Sequence, residues 1–186
     1  LDDRVRYSPV IDDGKVLVFT ELDPMDKKGF GYLLDATTGD PLWTTTLESH
    51  YHKAHLDARA AIVRCYRTIE AYRPDTGELM WQQHVAPSTH MQVRDDTVFV
   101  WNDDLMEAVD LKSGRLLWLF ADLEWEIKSV ELEGHVAHIR TGKSMVSLDA
   151  DLGTVLARHA LEGPGIASHG SLHAGIAYLV QKDDIF

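Results

Sequence analysis

The chain has 186 residues, 45% of them hydrophobic, which is enough to bury a core, and it carries 18 Lys and Arg against 30 Asp and Glu for a net charge of -12. That balance suits a polyanion poorly, because phosphates are neutralised by clustered cations, so nucleic acid and anionic membrane surfaces are disfavoured as partners. The single cysteine, Cys65, excludes an intrachain disulfide and a cysteine-based zinc cage, and no apolar run approaches the roughly 18 residues of a spanning helix.

Residues 1–10 lack the charged start, apolar middle and small-residue cleavage site of a signal peptide. Tyr7 to Val10 leads into the turn Asp12, Asp13, Gly14, and Val16 to Thr20 follows as an apolar run rich in β-branched residues, so two strands joined by a tight turn are expected. After an excursion through Glu21 to Lys28, Phe30 to Asp35 predicts a third strand. Pro41 to Leu47 predicts a fourth.

Between the third and fourth strands lies LDATTGDPLW, ending on Trp43, and this stretch recurs. YRPDTGELMW ends on Trp81, VDLKSGRLLW on Trp118, and LDADLGTVLA on Ala157, where a further Trp is expected. Gly39, Gly77, Gly114 and Gly153 are spaced 38, 37 and 39 residues apart, a period that marks a modular repeat. Asp35, Asp110 and Asp149 each precede their glycine by four residues and can accept the amides ahead of them, while the glycine takes the left-handed conformation of a bulged hairpin loop. Arg73 breaks that pattern, and Asp75 is expected to substitute from inside the turn. The tryptophans, four residues after their glycines, suit the packing of one sheet on the next, since an aromatic buries roughly 150 to 250 Å².

The remaining periods repeat the plan. A polar stretch, ESHYHKAHLD, leads to strands over Ala61 to Tyr66, Thr68 to Arg73 and Leu79 to Val85. The third period offers STHMQV, TVFVWN, LMEAVD and LLWLFA; the fourth offers IKSVEL, HVAHIR, SMVSLD and VLARHAL. Helical spacing is never sustained, so the chain reads as all-β. Its repeats fall at about 5–47, 51–85, 88–121 and 126–161, with a partial fifth over 166–186.

SPV-x-x-x-G-x-V-x-V from Ser8 to Val18, followed by LLDATTGDPLW, resembles the repeat of the PQQ-like β-propellers, a group that includes BamB-like assembly scaffolds and the quinoprotein dehydrogenases. The resemblance covers nearly the whole chain. It implies one domain of four-stranded antiparallel blades, four complete and one partial, with the innermost strands lining a central channel. From Ile62, Val98 and Val136 the repeat-turn glycine lies 15, 16 and 17 residues on; the same count from Ile176 gives 191 to 193, so a piece of a larger propeller, or one completed by a second chain, is expected. A bacterial envelope or periplasmic setting follows from the resemblance alone.

Two functional readings follow. Quinoprotein dehydrogenases, as the resemblance implies, clamp a quinone with an adjacent-cysteine disulfide and hold calcium with acidic and amide side chains. One cysteine cannot form that clamp, and the tryptophans occupy repeat positions, so no cofactor and no catalytic residue is assigned. A non-catalytic module that binds a protein or peptide is therefore expected, with a small-molecule, metal or quinone site in the channel as the alternative.

Residues where the repeats differ are the candidates. The excursion from Glu21 to Gly29 makes the interval from Val16 to Gly39 six to eight residues longer than in the other periods. It puts Pro24, Met25, Lys27 and Lys28 on the rim that carries the blade connections, with Tyr51, His52 and Trp125, a set suited to protein binding. Ser8, Lys53, His90, Lys128 and His169 fall on expected innermost strands and are expected to face the channel. His50 and His52 share a face if their segment is extended, a zinc-type pair for which spacing fixes no third ligand; a polar loop between blades accounts for the same residues. The aspartate doublets fall at strand turns and lack the order of a calcium loop. So acidic a chain suits a basic partner.

Overall fold

The computed structural model describes residues 8–20, 29–47, 51–121, 126–160, 166–173 and 176–181, with backbone alone at 51–52 and beyond 160. Four four-stranded antiparallel sheets follow one another in chain order. The first holds β1 (Val10–Asp12), β2 (Lys15–Phe19), β3 (Gly29–Asp35) and β4 (Pro41–Leu47). The second holds β5 (Tyr51–Leu56), β6 (Ala61–Cys65), β7 (Thr68–Tyr72) and β8 (Leu79–His84). The third runs β9 (His90–Arg94), β10 (Thr97–Trp101), β11 (Met106–Asp110) and β12 (Leu116–Phe120). The fourth runs β13 (Ile127–Glu133), β14 (Val136–Thr141), β15 (Ser144–Asp149) and β16 (Val155–Ala160), after which β17 (Ile166–His173) pairs with β18 (Ile176–Gln181) as a two-stranded sheet. The chain is thus all-β, built of propeller-type blades as its repeats predict. Two compact units comprise residues 1–100 with 109–116, and residues 101–108 with 117–186, so the third sheet is shared between them.

Burial within each sheet follows strand position. Every residue of β6, Ala61 to Cys65, is buried, because its sheet is covered on both faces; such a strand reads as an unbroken apolar run. On one face Ala61, Val63 and Tyr72 join Leu17, Phe19, Leu33 and Trp43 of the first sheet. On the other, Ile62 and Ile69 join Met91, Val98, Val100 and Val109 of the third. The fourth strands alternate instead: in β8 and β12 Trp81 and Trp118 are buried while Leu79, Leu116 and Leu117 are exposed.

The first strand differs from expectation. It begins at Val10, leaving Ser8 two residues outside the ladder. Pro9 explains this, because it has no amide hydrogen to pair and its fixed φ favours a strand start or edge.

Candidate functional site

The recurring turn is a small hydrogen-bonded machine. In the first sheet the Gly39 amide donates to the Asp35 carbonyl at 2.9 Å and the Asp35 amide to the Asp40 carbonyl at 2.9 Å. The same pair of bonds closes the turns at Gly77, Gly114 and Gly153. Asp35 Oδ1 accepts the amides of Thr37 at 2.8 Å and Thr38 at 2.9 Å, and Asp149 Oδ1 accepts those of Asp151 and Leu152, each at 2.9 Å. These amides, Thr38 first, hold the Asp35 carboxyl below the ordinary carboxylate range; the Ser113 hydroxyl and amide do the same for Asp110. Asp75 does not take the missing aspartate's place: among the described residues its side chain makes no hydrogen bond. Arg73 instead spans the turn by an ion pair to Glu78 at 3.1 Å. A charge pair across the turn thus stands where the other copies use carboxylate-to-amide bonds.

All four glycines have left-handed φ, from 69° to 77°. Three have a second reason to lack a side chain. A Cβ on Gly77 would stand 2.7 Å from Trp43 Cγ, one on Gly114 2.7 Å from Trp81 Cγ, and one on Gly153 2.6 Å from Trp118 Cδ2. Each indole thus lies on the turn of the following sheet. Each also donates its Nε1 hydrogen to the carbonyl three residues before that glycine: Pro74 at 3.2 Å, Leu111 at 2.8 Å and Ala150 at 3.0 Å. Gly39, with φ 77°, has nothing within 4 Å of its would-be Cβ among the described residues. Among the described residues it is an unfilled seat of the same design.

Of the expected channel residues, Lys53, His90 and Lys128 are exposed on β5, β9 and β13, the first strands of their sheets. In the second unit Lys128 donates to Glu126 at 2.6 Å, which raises its pKa, with Asp103 adding to the effect. His169 lies on the backbone of β17, with its side chain outside the described residues. The expected rim is described only in part: Pro24, Met25, Lys27, Lys28, Trp125 and also His50 lie outside the described residues, while Tyr51 and His52 have backbone alone. The ladder between β5 and β6 pairs Tyr51 with Cys65 and Lys53 with Arg64, skipping His52. Among the described residues no three His, Cys, Asp or Glu side chains gather as metal ligands would.

Two arginines in the first unit escaped the sequence reading. Arg59 binds Asp57 Oδ2 at 2.5 Å and reaches the next sheet at Asp96 Oδ1, 3.0 Å away, and at the Asp95 carbonyl. Burial works against ionised Asp57, but the Arg59 and His55 side chains and the Arg59 and Ala60 amides outweigh it and hold its pKa far below the ordinary value. Arg64, on β6, is only 8% exposed. Its Nη1 donates to the Thr89 carbonyl just before β9, and its buried Nε has no partner. A lone arginine in the apolar run AIVRC was the available signal.

These sheets, joined by an indole seated on the following turn, define a propeller of PQQ-like repeats. The family described as outer membrane protein assembly factor BamB matches residues 27–174, and the chain belongs to it. BamB from Moraxella catarrhalis is similar in structure, with a TM-score of 0.65, 21% identity, and coverage of 86% of this chain and 51% of that one. The computationally designed Ika8 protein aligns with a TM-score of 0.71, 14% identity, and coverage of 94% and 55%. Quinohemoprotein alcohol dehydrogenase from Comamonas testosteroni aligns with a TM-score of 0.59, 14% identity, and coverage of 84% and 35%. The chain thus spans about half the length of the first two. No curated protein sequence matches it.

Proposed function

We propose that this chain is a non-catalytic propeller module that presents its loop-rich rim to a protein partner in the cell envelope. The observation that carries the reading is how the repeated chemistry is used: the recurrent aspartates, glycines and tryptophans close turns and dock sheets. Recognition then falls to positions that differ between repeats. The excursion with Pro24, Met25, Lys27 and Lys28, the segment with Tyr51 and His52, and the segment with Trp125 are such positions. The family's description as an assembly factor supports a scaffold. The open seat at Gly39 supports completion by a Trp-bearing repeat, from this polypeptide or a second chain.

Photo-crosslinkers placed at Lys28 and Tyr51 should join one protein partner in cell-envelope material, while crosslinkers at Asp13 and Asp95, in the turns between first and second strands, should not. A turnover lost on replacing His90 or Lys128, with folding intact, would overturn the reading. Structural similarity to a quinohemoprotein dehydrogenase favours a second reading, a small-molecule, metal or quinone site at Lys53 and His90. Stoichiometric metal or quinone in protein purified without a His tag would support it.

A further inference from the structure

Arg64 is paired in register with Lys53, so both side chains stand on the same face of the second sheet, with Cβ atoms about 4.5–5.5 Å apart. Like charges placed directly opposite one another repel, and burial pulls the Arg64 guanidinium below the ordinary arginine range. Among the described residues neither cation has a carboxylate partner, although the chain carries a net charge of -12. Arg64 donates from Nη1 to a neutral carbonyl, that of Thr89, and its Nε is buried without a partner. A buried guanidinium without a counter-ion is costly, and apolar replacements at such sites often stabilise a protein.

More cationic and aromatic groups gather at this end of the sheet. The turn after β6 holds Tyr66, 42% exposed, with the Arg67 guanidinium 5.5 Å from its ring centroid. His90, exposed, follows the carbonyl that Arg64 holds. The global charge does not prevent this patch from attracting an anion, because exposed charges are screened beyond roughly 8 Å at physiological ionic strength.

We propose that Lys53, Arg64 and Arg67 form a carboxylate-binding subsite that receives an acidic, extended segment of a partner protein, with Tyr66 supplying apolar contact beside it. The proposal rests on the scaffold reading and specifies the chemistry of the partner. A long polyanion is repelled by the rest of the molecule, whereas a short segment need meet only these cations. The exposed Arg67 fork can hold a carboxylate by two parallel bonds, Lys53 meets it as a point charge, the buried Arg64 adds positive potential beneath them, and the exposed aromatic adds contact area.

The test is fluorescence anisotropy of the full chain with a labelled, blocked hexapeptide alternating threonine and glutamate. Saturable binding is expected at 20 mM salt and weaker binding at 150 mM salt, with none for the threonine–glutamine peptide. Arg64→Met combined with Lys53→Met should weaken binding at least tenfold, while Arg158→Met leaves it unchanged. Arg64→Met should melt no lower than the parent, which separates a recognition role from a structural one. Equal binding of the glutamine peptide, binding unaffected by the double substitution, or displacement by inorganic phosphate as readily as by unlabelled peptide would overturn the proposal. If the peptide fails while the rim crosslinks to a protein persist, the subsite falls and the scaffold reading stands; loss of both removes both.

Discussion

A glycine at φ near 70° spares the backbone a strain that any side chain would add, and in three of the four repeat turns it also makes room for an indole. The two effects separate experimentally. Gly39→Ala should cost only the left-handed strain, about 1–2 kcal/mol. Gly114→Ala should cost that and about 1–3 kcal/mol more, because its Cβ would meet Trp81 at 2.7 Å on side-chain ring atoms that are themselves packed. Urea midpoints of the four single variants should therefore place Gly39→Ala apart from Gly77→Ala, Gly114→Ala and Gly153→Ala. Asp57 makes a different residue-scale prediction. Its folded pKa is depressed, so its contribution is present above the unfolded value near 3.8 and is lost as pH falls below it. Asp57→Asn should lower the urea midpoint at pH 6 and flatten the fall in stability between about pH 4 and pH 2.

At the scale of elements, the link between sheets is a strand, a turn and one hydrogen bond. Trp81→Phe keeps most of the buried ring but leaves the Leu111 carbonyl without its 2.8 Å donor, an expected cost of about 1–3 kcal/mol. Trp81→Ala should cost about 3–5 kcal/mol, and differential scanning calorimetry would rank the pair. How legible these elements were depended on periodicity. The turn was readable because Asp, Gly and Trp recur in phase, and the strands because their apolar runs sit between turn signals. The seat was not, since nothing local says that Trp43 lies on Gly77, 34 residues later. Arg59 binding Asp96, 37 residues away, was hidden for the same reason. Arg73 was legible as a departure but not as an ion pair, because a pattern shows which residue is missing without showing what replaces it. The extra residue at His52 was invisible because a bulge shifts register without changing composition. The candidate site was thus legible by position, as places where repeats differ, and not by partner.

Across the whole molecule the seats form a directed series: the first sheet gives its indole to the second, the second to the third and the third to the fourth. Gly39 receives none among the described residues, and the fourth sheet has Ala157 where an indole would be offered. Any repeat that docks against the first sheet must therefore bring its own tryptophan. Prefixing the chain with a second copy of its third repeat, residues 88–121, supplies Trp118 again. The four residues before the first repeat equal in number the four that separate the third repeat from the fourth. If the added indole takes the open seat, the effect of Gly39→Ala must change with it. In the present chain that substitution meets open space; in the extended chain its Cβ would meet a packed ring, and its cost should rise by about 1–3 kcal/mol to the level of Gly114→Ala. Urea unfolding of the two parents and their two Gly39→Ala variants measures that coupling directly. A cost of Gly39→Ala that stays the same in both chains would show that the added repeat does not dock there, and completion through this seat would have to be abandoned.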